Sequence, residues 1–329
     1  MSELPNGLHE FLGRAGWGNA QVAPIPGDAS FRRYFRVERD GRSAMLMYTP
    51  PPEEDPRPFL SVARYLNDHD MRAPEIFAAD EQQGWVLLED FGEHRMREWL
   101  DDYPGHEEAT YQAAIDALIE LHLKPAGDFP PYDMATYHRE ARLFVEWYCP
   151  RMGLSVDVDE WTAAWNEVLD PLLVRQQHGV TVLRDYHAEN IMLPAPSSIT
   201  SGEQGLIDFQ DALVGHRAYD LVSLLQDARR DVDPGLERRM LDYYAQKAGA
   251  GSEFEADYAR LGAQRNAKIV GIFTRLFKRD GKPRYLDLIP RVWNLMERDL
   301  AHPALAPLAD WFAANVPQEI RSNGGAPAK

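Results

Sequence analysis

The sequence of 329 residues contains a single cysteine, Cys149. A lone thiol excludes an intramolecular disulfide and a cysteine-rich zinc site, because both require more than one cysteine. Positive charge is also scarce: 35 Lys and Arg stand against 52 Asp and Glu, and the formal net charge is -17. This balance argues against nucleic acid as a partner, because a phosphate backbone is bound by clustered Lys and Arg.

Long apolar runs are missing from the sequence as well. No segment approaches the roughly 20 apolar residues that a membrane-spanning helix needs, and the first residues, MSELPNGLHEFLG, have an early Glu and no basic run. We therefore expect a soluble cytoplasmic protein with no membrane partner. The sequence also has no Walker A motif, which excludes a P-loop NTPase.

Strand-like and helix-like patterns divide the chain into two parts. Up to about residue 91, short apolar runs such as SFRRYFRV and SAMLMYTP alternate with turn signals, and Asp40-Gly41 predicts a hairpin between these two runs. One segment of this part, PRPFLSVARYLNDHD, has helical spacing. Beyond residue 91 the apolar residues recur at helical intervals, and only VTVLRD and GLIDF look like strands.

These patterns predict an α+β fold of two lobes. We expect a small antiparallel-sheet lobe with one helix over residues 1–91 and a larger, mainly helical lobe over residues 92–320. The last segment, RSNGGAPAK, predicts a flexible tail over residues 321–329. Hydrophobic residues make up 44% of the chain, which is ample for the cores of both lobes.

The segment VLRDYHAENIMLP has the residue spacing of a phosphoryl-transfer loop. Asp185 follows the strand-like run TVL, and Asn190 comes five positions later. In phosphoryl transfer a carboxylate accepts the proton of the attacking hydroxyl, and an amide oxygen holds a metal ion without adding negative charge. We therefore predict Asp185 as the catalytic base and Asn190 as a metal ligand. An Asp and an Asn at this spacing also occur by chance, so the motif alone is weak.

A second motif lies downstream of the first. The strand-like run GLIDFQDA places Asp208 at its end and Phe209 directly after it. It is similar to the Asp-Phe-Gly element whose Asp binds the metal that bridges the nucleotide β- and γ-phosphates. Two such motifs in this order are more specific than either alone, so we predict Asp208 as a second metal ligand.

The segments LRDYHAENIML and GLIDFQDALVGHRAYDLVSLL resemble the aminoglycoside phosphotransferase superfamily, small-molecule kinases with a bilobal protein-kinase-like fold. GDASFRRYFRV, GWVLLEDFG, FVEWY and QRNAKIVGIFTRLFKRDGKPRYL extend the likeness over most of the chain. Together they are most similar to the subgroup of anomeric kinases that act on N-acetylmuramate and N-acetylglucosamine in peptidoglycan recycling. The resemblance implies ATP and Mg²⁺ as cofactors, an amino sugar as substrate and an α-1-phosphate as product. It leaves the oligomeric state open.

The resemblance also implies where the nucleotide binds. In GDASFRRYF, Ser30 is a small residue that lets backbone N–H groups approach phosphates, although the further glycines of a full Gly-rich loop are missing. In LLEDFG, Glu89 and Phe91 are expected to meet the adenine edge with their backbone groups. A plain strand end followed by a turn is equally compatible with that segment.

The strand lysine that kinases of this fold use to hold phosphates is missing. Met45 and Met47 occupy the strand positions where it is expected, and the following helix has no Glu to pair with it. We predict Arg33, on the preceding strand, as the substitute. Strand alternation places Arg32 and Arg36 on the opposite face, and they are the alternatives.

The substrate that the resemblance implies suggests further site residues. N-acetylmuramate carries a carboxylate, which the planar fork of an Arg matches, so we expect Arg229 and Arg230 near the sugar, with Arg265 as a further candidate. Glu146, in FVEWY, is expected to take part in sugar recognition. Surface arginines and a helix that packs its aromatic residues in the core are the competing interpretations.

Two residues of the motifs have supporting roles in this interpretation. His187, inside the loop, is predicted to bind substrate or to orient Asp185. Asp220, in GHRAYDLVSLL, resembles the superfamily Asp that supports the catalytic loop from the start of a helix, although a simple first-turn Asp explains it too.

Two other functions remain open from the sequence. An aminoglycoside- or choline-type kinase has a cationic substrate, which suits the acidic composition. A non-catalytic nucleotide-binding regulator is compatible with the missing lysine. Arginines near Asp185 favour the sugar acid, whereas a site lined only by carboxylates favours the cationic substrate.

Overall fold

The structure, a computed structural model, describes residues 4–25, 31–195 and 203–327. It divides into two compact units, which are described separately. The first unit is Met1–Ala113 with Glu189–Asp211, and the second is Ala114–Ala188 with Ala212–Lys329. The first unit therefore extends beyond the predicted boundary at residue 91 and includes a later segment of the chain.

The described residues form helices and strands with the following bounds, in chain order: α1 Leu8–Arg14, β1 Gln21–Ile25, β2 Arg33–Arg39, β3 Arg42–Tyr48, α2 Arg57–Asp68, β4 Ile76–Asp80, β5 Trp85–Glu89, α3 Met96–Asp102, α4 Glu107–Leu123, α5 Met134–Leu143, α6 Cys149–Arg151, α7 Val158–Arg175, β6 Val180–Val182, β7 Ile191–Met192, β8 Gly205–Leu206, β9 Leu213–Gly215, α8 Ala218–Leu225, α9 Pro234–Ala248, α10 Phe254–Asp280, α11 Ile289–Leu300, α12 Ala306–Asn315 and α13 Gln318–Ser322. A π-helical turn, Phe144–Tyr148, follows α5.

The first unit contains a five-stranded antiparallel sheet of order β1-β2-β3-β5-β4. The predicted hairpin is confirmed between β2 and β3, where Asp40 and Gly41 have φ angles of 51° and 73°. A two-residue hairpin turn with both φ angles positive is typical of Asp-Gly, because Gly has no Cβ and Asp tolerates the left-handed region.

The two faces of this sheet differ in their surroundings. On one face, Phe35 and Val37 of β2 belong to a buried core that includes Phe11 of α1 and Trp85 of β5. Because side chains alternate along a strand, Tyr34 and Arg36 point to the other face. This alternation decides which arginines of β2 can approach Asp208, as described below.

Helix α2 is the helix that the apolar spacing predicted. Phe59, Val62, Ala63 and Leu66 are all buried, so this part of the prediction is confirmed. The expected number of one helix in residues 1–91 was wrong, because the structure also has α1 there.

The second unit is built around α10, a helix of 27 residues. It packs against α5, α8 and α11. Gly271 permits the close approach at one crossing, because a Cβ there would lie 2.4 Å from the carbonyl carbon of Leu143. The mainly helical character of this part of the chain was predicted, and the α+β class is confirmed.

The last described residues, up to residue 327, pack within the second unit. Gly325 and Pro327 are buried, and the hydroxyl of Tyr148 donates a hydrogen bond to the carbonyl oxygen of Gly325 over 2.7 Å. Residues 321–327, part of the segment predicted to be a flexible tail, thus make packing contacts within the second unit. A backbone hydrogen bond to a buried side chain is a tertiary contact that a Gly- and Pro-rich composition does not reveal.

Within the described ranges, every helix is too short or too polar to cross a lipid bilayer.

Candidate active site

The loop that carries Asp185 follows β6 in the second unit and is held by α8. The carboxylate of Asp220, which is fully buried in α8, accepts hydrogen bonds from the backbone N–H of Leu183 over 2.6 Å and of Arg184 over 2.8 Å. Burial raises the pKa of Asp220 to about 7, although both N–H bonds act to lower it. The side chain of Asp220 therefore bonds a loop outside α8, whereas an Asp that only stabilises a helix start acts on the first turn of its own helix.

Arg184 adopts a left-handed backbone conformation, with φ at 71°. For a residue with a Cβ this costs on the order of 1–2 kcal/mol, and the two bonds to Asp220 help to hold it. Such conformations cluster where a loop must present a side chain in one direction. Here the presented residue is the next one, Asp185.

Asp185 is partly exposed and surrounded by positive charge within the second unit. Burial acts to raise the pKa of its carboxyl, but the nearby charges, that of Lys268 above all, hold the pKa below its usual value. Arg265 and Arg184 act in the same direction. Asp185 is therefore ionised at neutral pH, which a proton acceptor requires.

Glu140 of α5 holds two of these cations in place. Its carboxylate contacts the guanidinium of Arg184 and lies 3.1 Å from the Nζ atom of Lys268. It also accepts a hydrogen bond from the hydroxyl of Tyr132. Burial acts to raise the pKa of Glu140, but Lys268 and Arg184 lower it more, so the group is a carboxylate.

His187 is buried on the same loop. Burial lowers the pKa of its imidazole below the usual value, so the ring is neutral at neutral pH. Its Nε2 atom lies 3.5 Å from the Nη1 atom of Arg229. The backbone N–H of Arg229 in turn donates to Asp227 over 2.8 Å, which places this predicted sugar residue next to the catalytic loop.

The predicted metal ligands come together in the first unit. β7 and β8 pair, and the backbone N–H of Ile207 donates to the carbonyl oxygen of Asn190 over 3.1 Å. The Nδ2 atom of Asn190 lies 3.4 Å from Oδ2 of Asp208, and Gln210 donates to Oδ1 of Asp208 over 3.0 Å. Asp208 is exposed and has a left-handed backbone with φ at 60°.

The residue after Asp208 anchors this turn. Phe209 is 1% exposed and stacks on Phe59 of α2, with ring centroids 5.1 Å apart. The buried ring fixes the chain on one side of Asp208, while the carboxylate itself faces solvent. An exposed carboxylate on a fixed turn is suited to bind a metal ion that arrives together with another molecule.

The donor set fits Mg²⁺ better than a metal held by protein alone. The described residues contain no cluster of three or more His, Cys, Asp or Glu side chains that could hold a metal. Mg²⁺ usually binds through one or two carboxylates together with phosphate oxygens and water. Asp208, with the side-chain oxygen of Asn190, offers such a partial set.

The arginines of the first unit fall on different faces of the sheet. The guanidinium of Arg33 lies 5.2 Å from the ring centroid of Phe35, whose face is covered by α1. Arg32 lies close to Tyr34 on the opposite face. Burial raises the pKa of Tyr34, Arg32 lowers it, and the negative charge of Asp208 raises it further, so Tyr34 links Arg32 to the metal-ligand turn.

Arg36, the third candidate, pairs with acidic residues. Its Nε atom lies 2.8 Å from Asp90, and its Nη1 atom lies 2.5 Å from Glu93. Arg32 has a longer contact of 3.4 Å with Glu54. Arg32 thus lies near Tyr34 on the face opposite the core, whereas Arg33 lies over Phe35.

Glu89 and Phe91 lie where β5 ends. Both carboxylate oxygens of Glu89 accept hydrogen bonds from Arg72, over 2.6 and 2.5 Å, and its backbone N–H donates to Glu75 over 2.9 Å. The side chain and the backbone N–H of Glu89 are therefore already bonded within the first unit. Phe91 is 6% exposed, under the guanidinium of Arg72. The predicted Ser30 lies outside the described residues.

The remaining predicted sugar residues occupy different surroundings. Arg230 lines a cavity of about 170 Å³ together with Asp227, Asp231 and Arg291. Glu146 is exposed and pairs with Arg142 over 2.8 Å. Of its aromatic neighbours in FVEWY, Phe144 and Tyr148 are fully buried, which agrees with the core-packing interpretation of that segment.

Sequence reasoning missed several residues of the second unit, namely Glu140, Lys268 and Asp227. Lys268 follows Arg265 by three positions on α10, so the two side chains lie on neighbouring parts of one helix face. That spacing was a usable signal. The sequence holds no such signal for Glu140 and Asp227, because only their burial beside the loop distinguishes them from other acidic residues.

Comparisons with known proteins give matches over most of the chain. The model of the phosphotransferase enzyme family matches residues 21–263. A Pseudomonas aeruginosa protein named N-acetylmuramate/N-acetylglucosamine kinase is 39% identical over 96% of this chain and 95% of its own length. Proteins of the same name from Caulobacter vibrioides and Neisseria meningitidis are 36% and 35% identical, over 94% and 85% of this chain and 96% and 86% of theirs.

Solved structures show the same fold at low sequence identity. The ADP-bound aminoglycoside phosphotransferase APH(2'')-Ib matches with a TM-score of 0.60 at 15% identity, over 89% of this chain and 97% of its own. Choline kinase LicA from Streptococcus pneumoniae matches with a TM-score of 0.64 at 12% identity, over 91% and 97%. These likenesses confirm the predicted bilobal, protein-kinase-like α+β fold.

Proposed function

The chain belongs to the phosphotransferase enzyme family, and from this premise we propose that it is an ATP-dependent kinase of N-acetylmuramate and N-acetylglucosamine. In this proposal phosphate is transferred to the anomeric C1 hydroxyl, and the product is the α-1-phosphate used in peptidoglycan recycling. The curated relatives that carry these sugar names cover most of the chain, which supports the substrate class.

The observation that carries the proposal is the sign of the charge around Asp185. Lys268 and Arg265 act on its carboxylate, and Arg229 lies beside His187 on the same loop. Arginines beside Asp185 match the carboxylate of N-acetylmuramate, whereas a cationic aminoglycoside or choline would be better matched by a site lined only by carboxylates. The structure therefore supports a sugar-acid kinase over the cationic rival.

The chemistry assigned to the chain's own residues is proton transfer and positioning. Asp185, ionised because of its cationic neighbours, accepts the proton of the C1 hydroxyl. The anomeric hydroxyl is more acidic than an ordinary alcohol, so a carboxylate is a sufficient base. Asp220 keeps the loop in position, and the neutral imidazole of His187 can hydrogen-bond the sugar.

Asp208 and Asn190 would hold Mg²⁺, which when bound neutralises phosphate charge as the phosphoryl group is transferred. Arg32 is proposed to anchor the phosphates in place of the missing lysine, with the predicted Arg33 kept as the alternative to be tested. Glu89 and Phe91 stay predicted neighbours of the adenine, and Arg230 and Glu146 stay predicted neighbours of the sugar.

The experiment is a substrate panel assayed for ATP consumption. N-acetylmuramate, N-acetylglucosamine, an aminoglycoside and choline are compared, and the product is analysed by phosphorus NMR. We expect turnover of the amino sugars and a phosphorus signal coupled to H1. The 1-O-methyl glycosides are the matched control, because they lack the reacting hydroxyl and must be inert.

The outcomes separate the competing functions. Turnover of choline or the aminoglycoside alone would establish the cationic rival. ATP binding with no turnover of any acceptor would indicate a nucleotide-binding regulator. Phosphate at C6, or turnover of the methyl glycosides, would contradict transfer to C1.

A further inference from the structure

Two buried charged side chains of the second unit each keep one hydrogen-bonding atom without a partner among the described residues. Asp227 is 1% exposed and Arg265 is 4% exposed. The atoms are Oδ2 of Asp227 and Nη1 of Arg265. Buried polar atoms are nearly always bonded, because an unsatisfied one loses its hydration without compensation. One acceptor and one donor that lack a partner among the described residues therefore suggest a ligand that carries both a hydrogen-bond donor and an acceptor.

Asp227 is held beside the catalytic loop by the residues that follow α8. Its Oδ1 atom accepts the backbone N–H of Arg229 over 2.8 Å, and the side chain of Arg229 reaches His187. The charge of Asp227 also acts on the imidazole of His187. Because Oδ1 is occupied, the carboxylate is fixed in orientation while Oδ2 keeps its capacity to accept a bond.

Arg265 approaches the same loop from α10. Its Nη2 atom donates to the hydroxyl of Ser223 over 2.8 Å. Ser223 lies three positions after Asp220 on α8, so both side chains leave the same face of that helix. Since Asp220 bonds the loop backbone directly, the guanidinium of Arg265 lies next to the loop, and its charge acts on both Asp185 and His187.

We propose that Asp227 and Arg265 bind the 2-acetamido group of the sugar, an inference that rests on the proposed function. The acetamido group is attached to C2, the carbon next to the reacting C1. It carries one N–H donor and one carbonyl acceptor. In this arrangement Oδ2 of Asp227 accepts the N–H, and Nη1 of Arg265 donates to the carbonyl oxygen.

This pairing accounts for what the two proposed substrates share. N-acetylmuramate and N-acetylglucosamine differ at C3 and have the same acetamido group at C2. A site built to bond a donor and an acceptor rejects a sugar that lacks them, because its own buried groups then stay unpaired. Glucose and 2-deoxyglucose should therefore be poor acceptors.

The test compares Asp227→Asn and Arg265→Lys with the wild-type enzyme, using N-acetylglucosamine and 2-deoxyglucose as acceptors. Asn keeps an oxygen for the N–H of Arg229 but presents a donor at the position of Oδ2. Lys keeps the positive charge beside Asp185 but lacks the paired N–H donors of the guanidinium group. In both variants we expect the KM for N-acetylglucosamine to rise about 10- to 100-fold with the KM for ATP unchanged. The preference for N-acetylglucosamine over 2-deoxyglucose should fall by a similar factor.

Asp233→Asn is the matched control, because Asp233 lies outside the cavity that Asp227 lines, at the exposed start of α9, where an Asn can also cap the backbone N–H groups of Gly235 and Leu236. It removes the same charge and should leave the sugar preference intact. Calorimetric titration of each sugar into the variants gives a second readout that does not depend on turnover. If Asp227→Asn does not fold, the Arg265→Lys variant with the same sugar pair decides.

Unchanged preference and affinity in a folded Asp227→Asn or Arg265→Lys enzyme would refute this inference while the kinase activity stands. A loss confined to N-acetylmuramate in Arg265→Lys would show that Arg265 binds the carboxylate at C3, which also refutes the acetamido assignment. Wild-type enzyme that turns over no amino sugar would instead refute the proposed function.

Discussion

Replacement of Asp220 by Ala should weaken both the fold and the catalytic loop. The substitution removes the acceptors of two backbone N–H groups, those of Leu183 at 2.6 Å and Arg184 at 2.8 Å. Leu183 is 3% exposed and Asp220 is fully buried, so water cannot readily replace the lost bonds. An unsatisfied buried N–H costs about 1–3 kcal/mol, and the two together should cost about 2–6 kcal/mol of unfolding free energy.

The catalytic effect follows from the position of Asp185, one residue beyond the held segment. A base displaced by about 1 Å can lose on the order of 10²-fold in rate, so kcat should fall about 10- to 100-fold. Asp220→Asn keeps one oxygen acceptor and should give an intermediate loss of both quantities. Burial raises the pKa of Asp220 to about 7 in the folded protein. The free energy of unfolding therefore falls as the pH rises from the usual carboxyl range to about 7, because the buried group must then ionise. All variants must therefore be compared at one pH.

Urea unfolding and kcat with N-acetylglucosamine measure the two effects. Asp157→Ala is the matched control, since Asp157 also accepts two backbone N–H bonds, over 2.7 and 3.4 Å, but caps the exposed start of α7. It should lose about 0.5–2 kcal/mol with no change in kcat. If Asp220→Ala stays within about 1 kcal/mol of wild type and keeps its kcat, the support assigned to Asp220 is wrong.

Four further predictions follow from the site. Asp185→Asn should lower kcat about 10²- to 10⁴-fold with ATP affinity nearly unchanged, as measured by steady-state kinetics and nucleotide titration; normal turnover would exclude Asp185 as the base. Lys268→Met should raise the pKa of Asp185 and move the acidic limb of the kcat/KM profile to higher pH, and an unmoved limb would contradict the assigned cause of the low pKa. Asp208→Ala should abolish Mg²⁺-dependent turnover, whereas full activity would overturn the metal assignment. Arg32→Ala should raise the KM for ATP more than Arg33→Ala does, and the reverse order would restore the original prediction of Arg33.

Local features of this protein could be predicted from the sequence because their causes are local. Asp40-Gly41 specifies a turn through the backbone freedom of two adjacent residues, and Phe59 to Leu66 specify a helix through periodic burial. The order of Asp185, Asn190 and Asp208 along the chain, together with the family resemblance of the segments around them, predicted a kinase. Asp185 and Asp208 follow short strands and Asn190 directly precedes one, so these loops could be recognised without knowledge of distant contacts.

The tertiary structure decided which distant residues surround these loops. Lys268 and Asp185 are 83 positions apart (268 − 185), and only the packing of α10 against α5 and α8 places that charge beside the predicted base. The unpartnered atoms of Asp227 and Arg265 are likewise properties of burial, which periodicity does not specify for single polar residues. The sequence was enough to predict the chemistry of the loops, and the packing of helices far apart in the chain determined the charges that act on Asp185.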